Sequence, residues 1–282
     1  MTRLIAVALL SLGAASLTAQ QDSVPPALRD RGPGIRMSEF QTYIERGQFF
    51  IMPSASYIKD HNLEYNPVDW GFGDQTALRG TFHGSSGQLL LAYGVNDWLA
   101  LEAEASYMDA HFERSPQDTG NTPPQIHESG IGDFAFQARL RFVKERGSRP
   151  EIWGSLEFIP ESNKDKVLIG DTPTDLQAEI GFTRGFGFGT MTFRTTIEYT
   201  HIDKAWDFGE TSIEYLRRLS ETWRVMVGLE GGEGGGPDEF VAVTSFQARL
   251  ASRAVLNFGN SIGFFSKSTD WEPYVGLRFE LP

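Results

Sequence analysis

The sequence predicts an all-β chain closed into a transmembrane antiparallel barrel of about 12 strands. Three observations carry that reading: an export signal with no later apolar helix, a period-two alternation repeated along the chain, and connections that alternate short and long.

Residues 1–19 read as a signal peptide. Met1-Thr2-Arg3 is a short basic start, Leu4 to Leu17 is apolar and small, and Leu17-Thr18-Ala19 offers a cleavage site before Gln20. No other stretch approaches the ~18 apolar residues that a spanning helix needs. An exported chain of this kind is either soluble outside the inner membrane or a barrel in an outer membrane.

Composition allows both. Hydrophobic residues make up 40% of the 282, and mean hydropathy is −0.29. A barrel reaches such values because its lumen residues dilute the lipid-facing ones. The 21 Phe, 8 Tyr and 6 Trp suit aromatic girdles. The absence of cysteine excludes disulfides, thiolate metal sites, a cysteine nucleophile and a lipidated N-terminal Cys. A net charge of −12 argues against nucleic acid as a partner.

Residues 20–46 form a polar segment with Pro and Gly, expected in the periplasm, with a short helix over MSEFQTYIER (37–46). The barrel is expected over 47–282. Its strands are FFIMPSASY (49–57), QLLLAYGV (88–95), WLALEAEASYM (98–108), GIGDFAFQARLRFV (130–143), IWGSLEFIP (152–160) and DLQAEIGFTRG (175–185). They continue with TMTFRTTIEYT (190–200), TSIEYLRRL (211–219), WRVMVGLE (223–230), FVAVTSFQARL (240–250), AVLNFGNSIGFF (254–265) and WEPYVGLRFEL (271–281). Most approach the ~9–11 residues that cross a bilayer at a tilt. Short connections at 96–97, 144–150, 186–189, 220–222 and 251–253 alternate with long ones at 59–87, 109–129, 161–174, 201–210, 231–239 and 266–270. Outer-membrane barrels do this, with short turns to the periplasm and long loops outward. A soluble sandwich has no physical reason to.

The alternation assigns faces. Leu99, Leu101, Ala103, Ala105 and Tyr107 point outward, as do Phe134, Phe136, Ala138, Leu140 and Phe142. The expected lumen lining is Glu102, Glu104, Asp133, Gln137, Arg139, Arg141, Glu157, Glu179, Arg194, Glu198, Glu214, Arg218, Arg224, Arg249, Tyr274 and Arg278. Asp175, Glu230, Glu272 and Glu280 also face inward, so acids exceed arginines there. An Arg or Lys facing mid-bilayer lipid costs ~2–4 kcal/mol, which explains the sorting. The outward exceptions, Arg184 and Arg217, lie near strand ends, where they can snorkel.

YGVNDWLALEAEA (93–105) and SGIGDFAFQARLRF (129–142) resemble an outer-membrane family named for the MetA pathway of phenol degradation. Tyr93, Gly94, Val95, Asn96, Asp97 and Trp98 are similar to its hairpin, with Asn96 where a hydroxyl residue is usual. Gly130, Ile131, Gly132 and Asp133 are similar to the opening of its next strand, and YVGLRFEL (274–281) to its last. The resemblance covers roughly 88–281 and implies a porin-like, Gram-negative outer-membrane transporter for aromatic or other hydrophobic compounds. The chain stops at Pro282 instead of a terminal aromatic, so Phe279 is the expected signal for the barrel-assembly machinery.

The GIGD motif is not a phosphate loop, because no Gly-Lys-Ser/Thr follows and it leads into a strand. Its glycines are expected where the strand leaves the long loop, with Asp133 near the outer mouth. Of the five histidines, His61, His83, His111 and His127 are expected in loops and His201 at a strand end. No serine elbow or spaced triad supports them as catalytic, and no cofactor or metal site is expected. Outer-membrane lipid, lipopolysaccharide and a small-molecule solute are the expected partners. Passive solute uptake is the leading expectation, with a non-conducting surface barrel next and a lipid hydrolase last.

Overall fold

The computed structural model describes residues 26–38, 41–162, 166–169, 174–200, 205–231, 240–265 and 268–281. The signal peptide, His201, and parts of the expected long connections, 163–165, 170–173 and 232–239, lie outside them.

Twelve strands close into one barrel, each antiparallel to the next. They are β3 (Phe49–Tyr65), β4 (Leu78–Gly94), β5 (Leu99–Glu113), β6 (Gln125–Val143), β7 (Glu151–Ile159) and β8 (Asp175–Phe186). The rest are β9 (Gly189–Thr200), β10 (Ala205–Arg218), β11 (Trp223–Gly231), β12 (Phe240–Ala251), β13 (Ala254–Gly263) and β14 (Trp271–Leu281). Pairing of β14 with β3, from Trp271 opposite Lys59 to Leu281 opposite Phe49, closes the ring. A closed ring leaves no strand edge unpaired in lipid, the condition for spanning a membrane with strands.

Every expected strand forms, but five are taller than the alternation indicates. β3 and β4 have 17 residues each, β5 has 15 and β6 has 19, against 9 in β7 and in β11. The loops expected at 59–87 and 109–129 therefore shrink to 66–77 and 114–124. β10 likewise begins at Ala205, inside the expected loop 201–210. The added stretches, such as KDHNLEY and DAHFE, are mostly polar and carry no outward hydrocarbon row, while Tyr65 and Phe112 are buried inward. Beyond the bilayer a strand needs no hydrocarbon row, so the alternation fades while backbone pairing continues.

The outer face carries the hydrophobic rows, with Leu101, Phe136, Leu156, Phe193 and Val227 all exposed. Trp98, Trp223 and Trp271 are exposed near strand ends, and Tyr107 is exposed at the top of the apolar row of β5, as aromatic belts require. Arg217 donates to the Gly187 carbonyl at 3.1 Å, and Arg184 lies over the Phe186 ring, both at the short-turn end.

Both quoted motifs are structural. Gly94 exchanges backbone bonds with Gly47 and Gln48, and a Cβ there would lie 2.1 Å from the Glu45 carbonyl. Asn96 Oδ1 accepts from the Trp98 and Leu99 amides at 2.9 and 3.0 Å, which shapes the turn. In GIGD, the β5–β6 register shifts between Ala105 and Tyr107, so Gly132 and Asp133 together face Ser106. This is a β-bulge within the strand, not the place where the strand leaves the loop. A Cβ on Gly132 would lie 2.3 Å from Ser106 Oγ.

The segment before the barrel also departs from expectation. Among the described residues, a single helical turn, α1 (Pro26–Arg29), precedes two short strands, β1 (Ile35–Arg36) and β2 (Tyr43–Ile44), which pair antiparallel. The described part of 37–46 therefore contains a strand and no helix. Nor does the segment hang below the barrel: it enters the lumen at the short-turn end. Ile35, Met37 and Ile44 pack there against Phe50, Met52, Leu90, Ala92 and Ala100 of the inner wall. Those inward apolar side chains would otherwise face water, and covering each large one contributes roughly 1.5–3 kcal/mol.

Candidate functional site

The lumen is built from cross-strand rows. Glu102, Gln137, Glu157, Gln177 and Glu198 stand opposite one another on β5 to β9. One step toward the short turns, Arg139, Ser155, Glu179 and Thr196 form a second row. Antiparallel registry brings such side chains to within ~5 Å of their neighbours, so rows of charge become networks.

Arg139 Nε lies 2.8 Å from Glu102 and its Nη1 3.5 Å from Glu179. Arg194 reaches four carboxylates: Glu179 at 3.2 Å, Glu230 at 3.3 Å, Glu214 at 3.5 Å, and Glu210. The inserted segment joins this network. Arg36 donates to both oxygens of Glu214 at 2.8 Å, Gln41 also bonds Glu214, and the Ser38 amide and hydroxyl bond Glu102. Arg36 and Arg139 flank Trp153, which is buried in the lumen and donates to Thr183 Oγ1 at 3.0 Å.

Above this floor lie two adjoining cavities, about 430 and about 290 Å³. Arg36, Ser38, Gln88 and Arg194 line both. The larger is lined by polar Ser54, Ser56, Ser86, Ser106, Glu272 and Tyr274, interspersed with apolar Ile58, Met108, Met226 and Val243. The smaller is walled by Glu104, Gln137, Arg139, Glu157, Gln177 and Glu179. Volumes of this size suit a small solute.

Of the expected lumen residues, Glu104, Gln137, Arg139, Glu157, Glu179, Arg194, Glu214 and Tyr274 are brought to the cavities. Glu102 is held just behind them by Arg139 and Ser38. Glu198 continues its row beside Gln177, and Asp133 accepts from Ser162 Oγ at 2.5 Å. The remaining arginines serve the short-turn end. Arg141 bonds Glu151 at 3.1 Å and the carbonyls of Asp97 and Pro33. Arg218 Nε donates to Ser220 O at 3.0 Å. Arg224, Arg249 and Arg278 surround a narrow cleft with Gln247, and Arg278 reaches Glu280 at 3.0 Å and Thr42 at 3.2 Å.

Sequence reasoning missed Arg36, Ser38, Gln41, Glu210, Trp153 and the lining serines Ser54, Ser56 and Ser86. The serines carry no charge to mark them, although the alternation of Ser54 and Ser56 on β3 was visible. Trp153 left one trace: Gly181 opposite, where a Cβ would lie 2.1 Å from the indole.

At the short-turn end, burial raises the Glu145 carboxyl above its ordinary value despite Arg31, whose Nη2 lies 2.7 Å away. Burial likewise raises Asp30, against the opposing hydrogen bond it accepts from the Arg218 amide at 2.8 Å. Four histidines are not in loops: His61 is on β3, His83 on β4, His111 on β5 and His127 on β6.

No family model matches the sequence, and no curated protein matches it. Solved structures do. An outer-membrane channel from Pseudomonas putida F1 superposes with a TM-score of 0.57 at 11% identity, covering 88% of this chain and all of that one. The KdgM porin superposes with a TM-score of 0.50 at 8% identity, covering 82% of this chain and 99% of that chain. At such identities the likeness is one of fold: this chain has the outer-membrane β-barrel architecture.

Proposed function

We propose that the protein is an outer-membrane channel for passive uptake of small solutes carrying both an apolar face and hydrogen-bonding groups. One observation carries this reading: the larger cavity is lined both by Ser54, Ser56, Ser86 and Tyr274 and by Met108, Met226 and Val243. A purely hydrocarbon solute would displace water from the cavity's polar lining without replacing its hydrogen bonds, which is costly. An aromatic or aliphatic compound bearing a hydroxyl, amide or charged group meets both kinds of lining. This narrows the hydrophobic or aromatic cargo that the family resemblance implies.

The barrel reconstituted in planar bilayers is expected to show discrete conductance, and liposomes carrying it should take up small amphipathic solutes faster than sugars of equal size. A silent barrel whose gel mobility still shifts on boiling would overturn the proposal.

The inserted segment favours a second reading, a closed barrel. Arg36 and Glu214 are both about 3% exposed and paired within the lumen. Deleting residues 20–46 separates the two. Conductance that rises on deletion identifies the segment as a gate, and continued silence supports a structural barrel.

A further inference from the structure

Three of the five histidines stand in one row on the outside of the tall wall. His83, His111 and His127 are direct partners across β4, β5 and β6. Their rings stack, His83 on His111 at 4.9 Å and 6°, and His111 on His127 at 3.8 Å and 16°. They share the outward face with Tyr107, four residues before His111 on the same strand. With a rise of ~3.3 Å per residue and a tilt of ~40°, the row sits roughly 10 Å beyond that aromatic belt. Hydrocarbon does not cover it there.

Asp109 completes the group. Its Oδ1 lies 3.3 Å from His111 Nδ1 and its Oδ2 lies 3.2 Å from His127 Nε2. One ligand atom from each of the three residues falls within 4.8 Å of the others. Around a tetrahedral ion with bonds of ~2.1 Å, ligand atoms stand ~3.4 Å apart, so small side-chain rotations close the set. The positions themselves are fixed by continuous pairing of β4, β5 and β6 on both sides of the row. Little ordering remains to oppose binding.

We propose that Asp109, His111 and His127 bind one divalent transition-metal ion of the zinc class on the outer face of the barrel. Two imidazoles and one carboxylate select zinc, nickel or copper over calcium and magnesium, which favour all-oxygen shells. Three protein ligands leave one position to water, the arrangement of an open site. The site is independent of the lumen, and its occupancy does not depend on whether the barrel conducts.

The test uses the full-length mature chain without a polyhistidine tag, folded in detergent and titrated with Zn²⁺ near neutral pH, with Ca²⁺ in parallel. One Zn²⁺ per barrel is expected, with Ca²⁺ at least about tenfold weaker. His111→Ala, His127→Ala and Asp109→Asn should each weaken Zn²⁺ binding at least about tenfold, while the boiling-dependent gel shift persists. X-ray absorption at the zinc edge should show two imidazole ligands. A wild-type barrel that takes up no Zn²⁺, or a His111→Ala/His127→Ala double variant that binds it equally well, would overturn the assignment.

Discussion

At the short-turn end the lumen is filled: Ile35, Met37 and Ile44 cover Phe50, Met52 and Leu90, and Arg36 is locked onto Glu214. At the opposite end β3 to β6 rise past their neighbours and are braced on their own account. Tyr65 stacks on Trp70 at 5.2 Å and meets Phe112 edge-on at 4.7 Å, and its hydroxyl donates to Asp118 at 2.9 Å. The lower end is thus a plug made from chain outside the barrel, whereas the upper end is strand carried beyond the membrane. Lipid dictates the wall between them, but neither end has lipid as its solvent. Each needs a core of its own.

If the plug is a separate unit, breaking its ionic contact should release it without opening the barrel. Arg36→Ala leaves Glu214 buried with Gln41 and a more distant Arg194, and removing one member of a buried pair costs about 3–5 kcal/mol. Residues 26–48 should become sensitive to protease while the boiling-dependent gel shift of the barrel is retained. Coincident loss of both would show plug and barrel to be one cooperative unit.

The upper end should fail just as locally. Phe112 is 1% exposed, and truncating a buried Phe costs about 3 kcal/mol or more. In Phe112→Ala the amides of 58–65 and 78–86 should exchange faster, with those of β11 to β13 unchanged. Gly80, whose Cβ would lie 2.4 Å from the Phe112 ring, gives the converse probe. Gly80→Ala should be destabilising in the native protein and milder in the Phe112→Ala background.

These two ends also mark where sequence reasoning held and where it stopped. All twelve strands were legible because lipid forbids charge on the outer face and so imposes alternation. The same rule sorted Glu102, Arg139, Glu179 and Arg194 inward. It could not pair them, because alternation reports the face of a residue and not its height. The tall extensions escaped notice because their outward residues, such as Lys59, His61, His127 and Ser129, are polar, so no hydrocarbon row writes a period. The plug did leave a sign. Phe49-Phe50-Ile51-Met52 and Leu89-Leu90-Leu91-Ala92 are apolar on both faces, as a strand covered on both sides would be. Arg36 itself sits in a polar stretch with no periodic context, and nothing local marks it as a lumen residue.

A smaller effect is expected within the wall. Gly132→Ala places a Cβ against Ser106 Oγ at the bulge, and overpacking that a hydroxyl can partly avoid costs about 1 kcal/mol. Ser106→Ala should recover most of it, measured as a coupling in a double-mutant cycle of urea unfolding.

The smallest effect belongs to the seam where the tall wall meets β14. Asp270 accepts from the His61 backbone amide at 2.9 Å and contacts its ring Nδ1 at 2.7 Å. The amide bond is the larger cause that lowers the Asp270 carboxyl below its ordinary value of 3.8. A carboxyl lowered on folding stabilises the folded form at pH above that ordinary value. The contribution disappears as pH falls through the lower, folded value. Both side chains are largely exposed, so solvent screening keeps the effect small. Protease cleavage around residues 59–63 should therefore increase below about pH 4 in the wild type. Asp270→Asn should show the higher cleavage already at neutral pH and little further change on acidification. A variant that kept the wild-type pH response would place the acid-sensitive contact elsewhere on the tall wall.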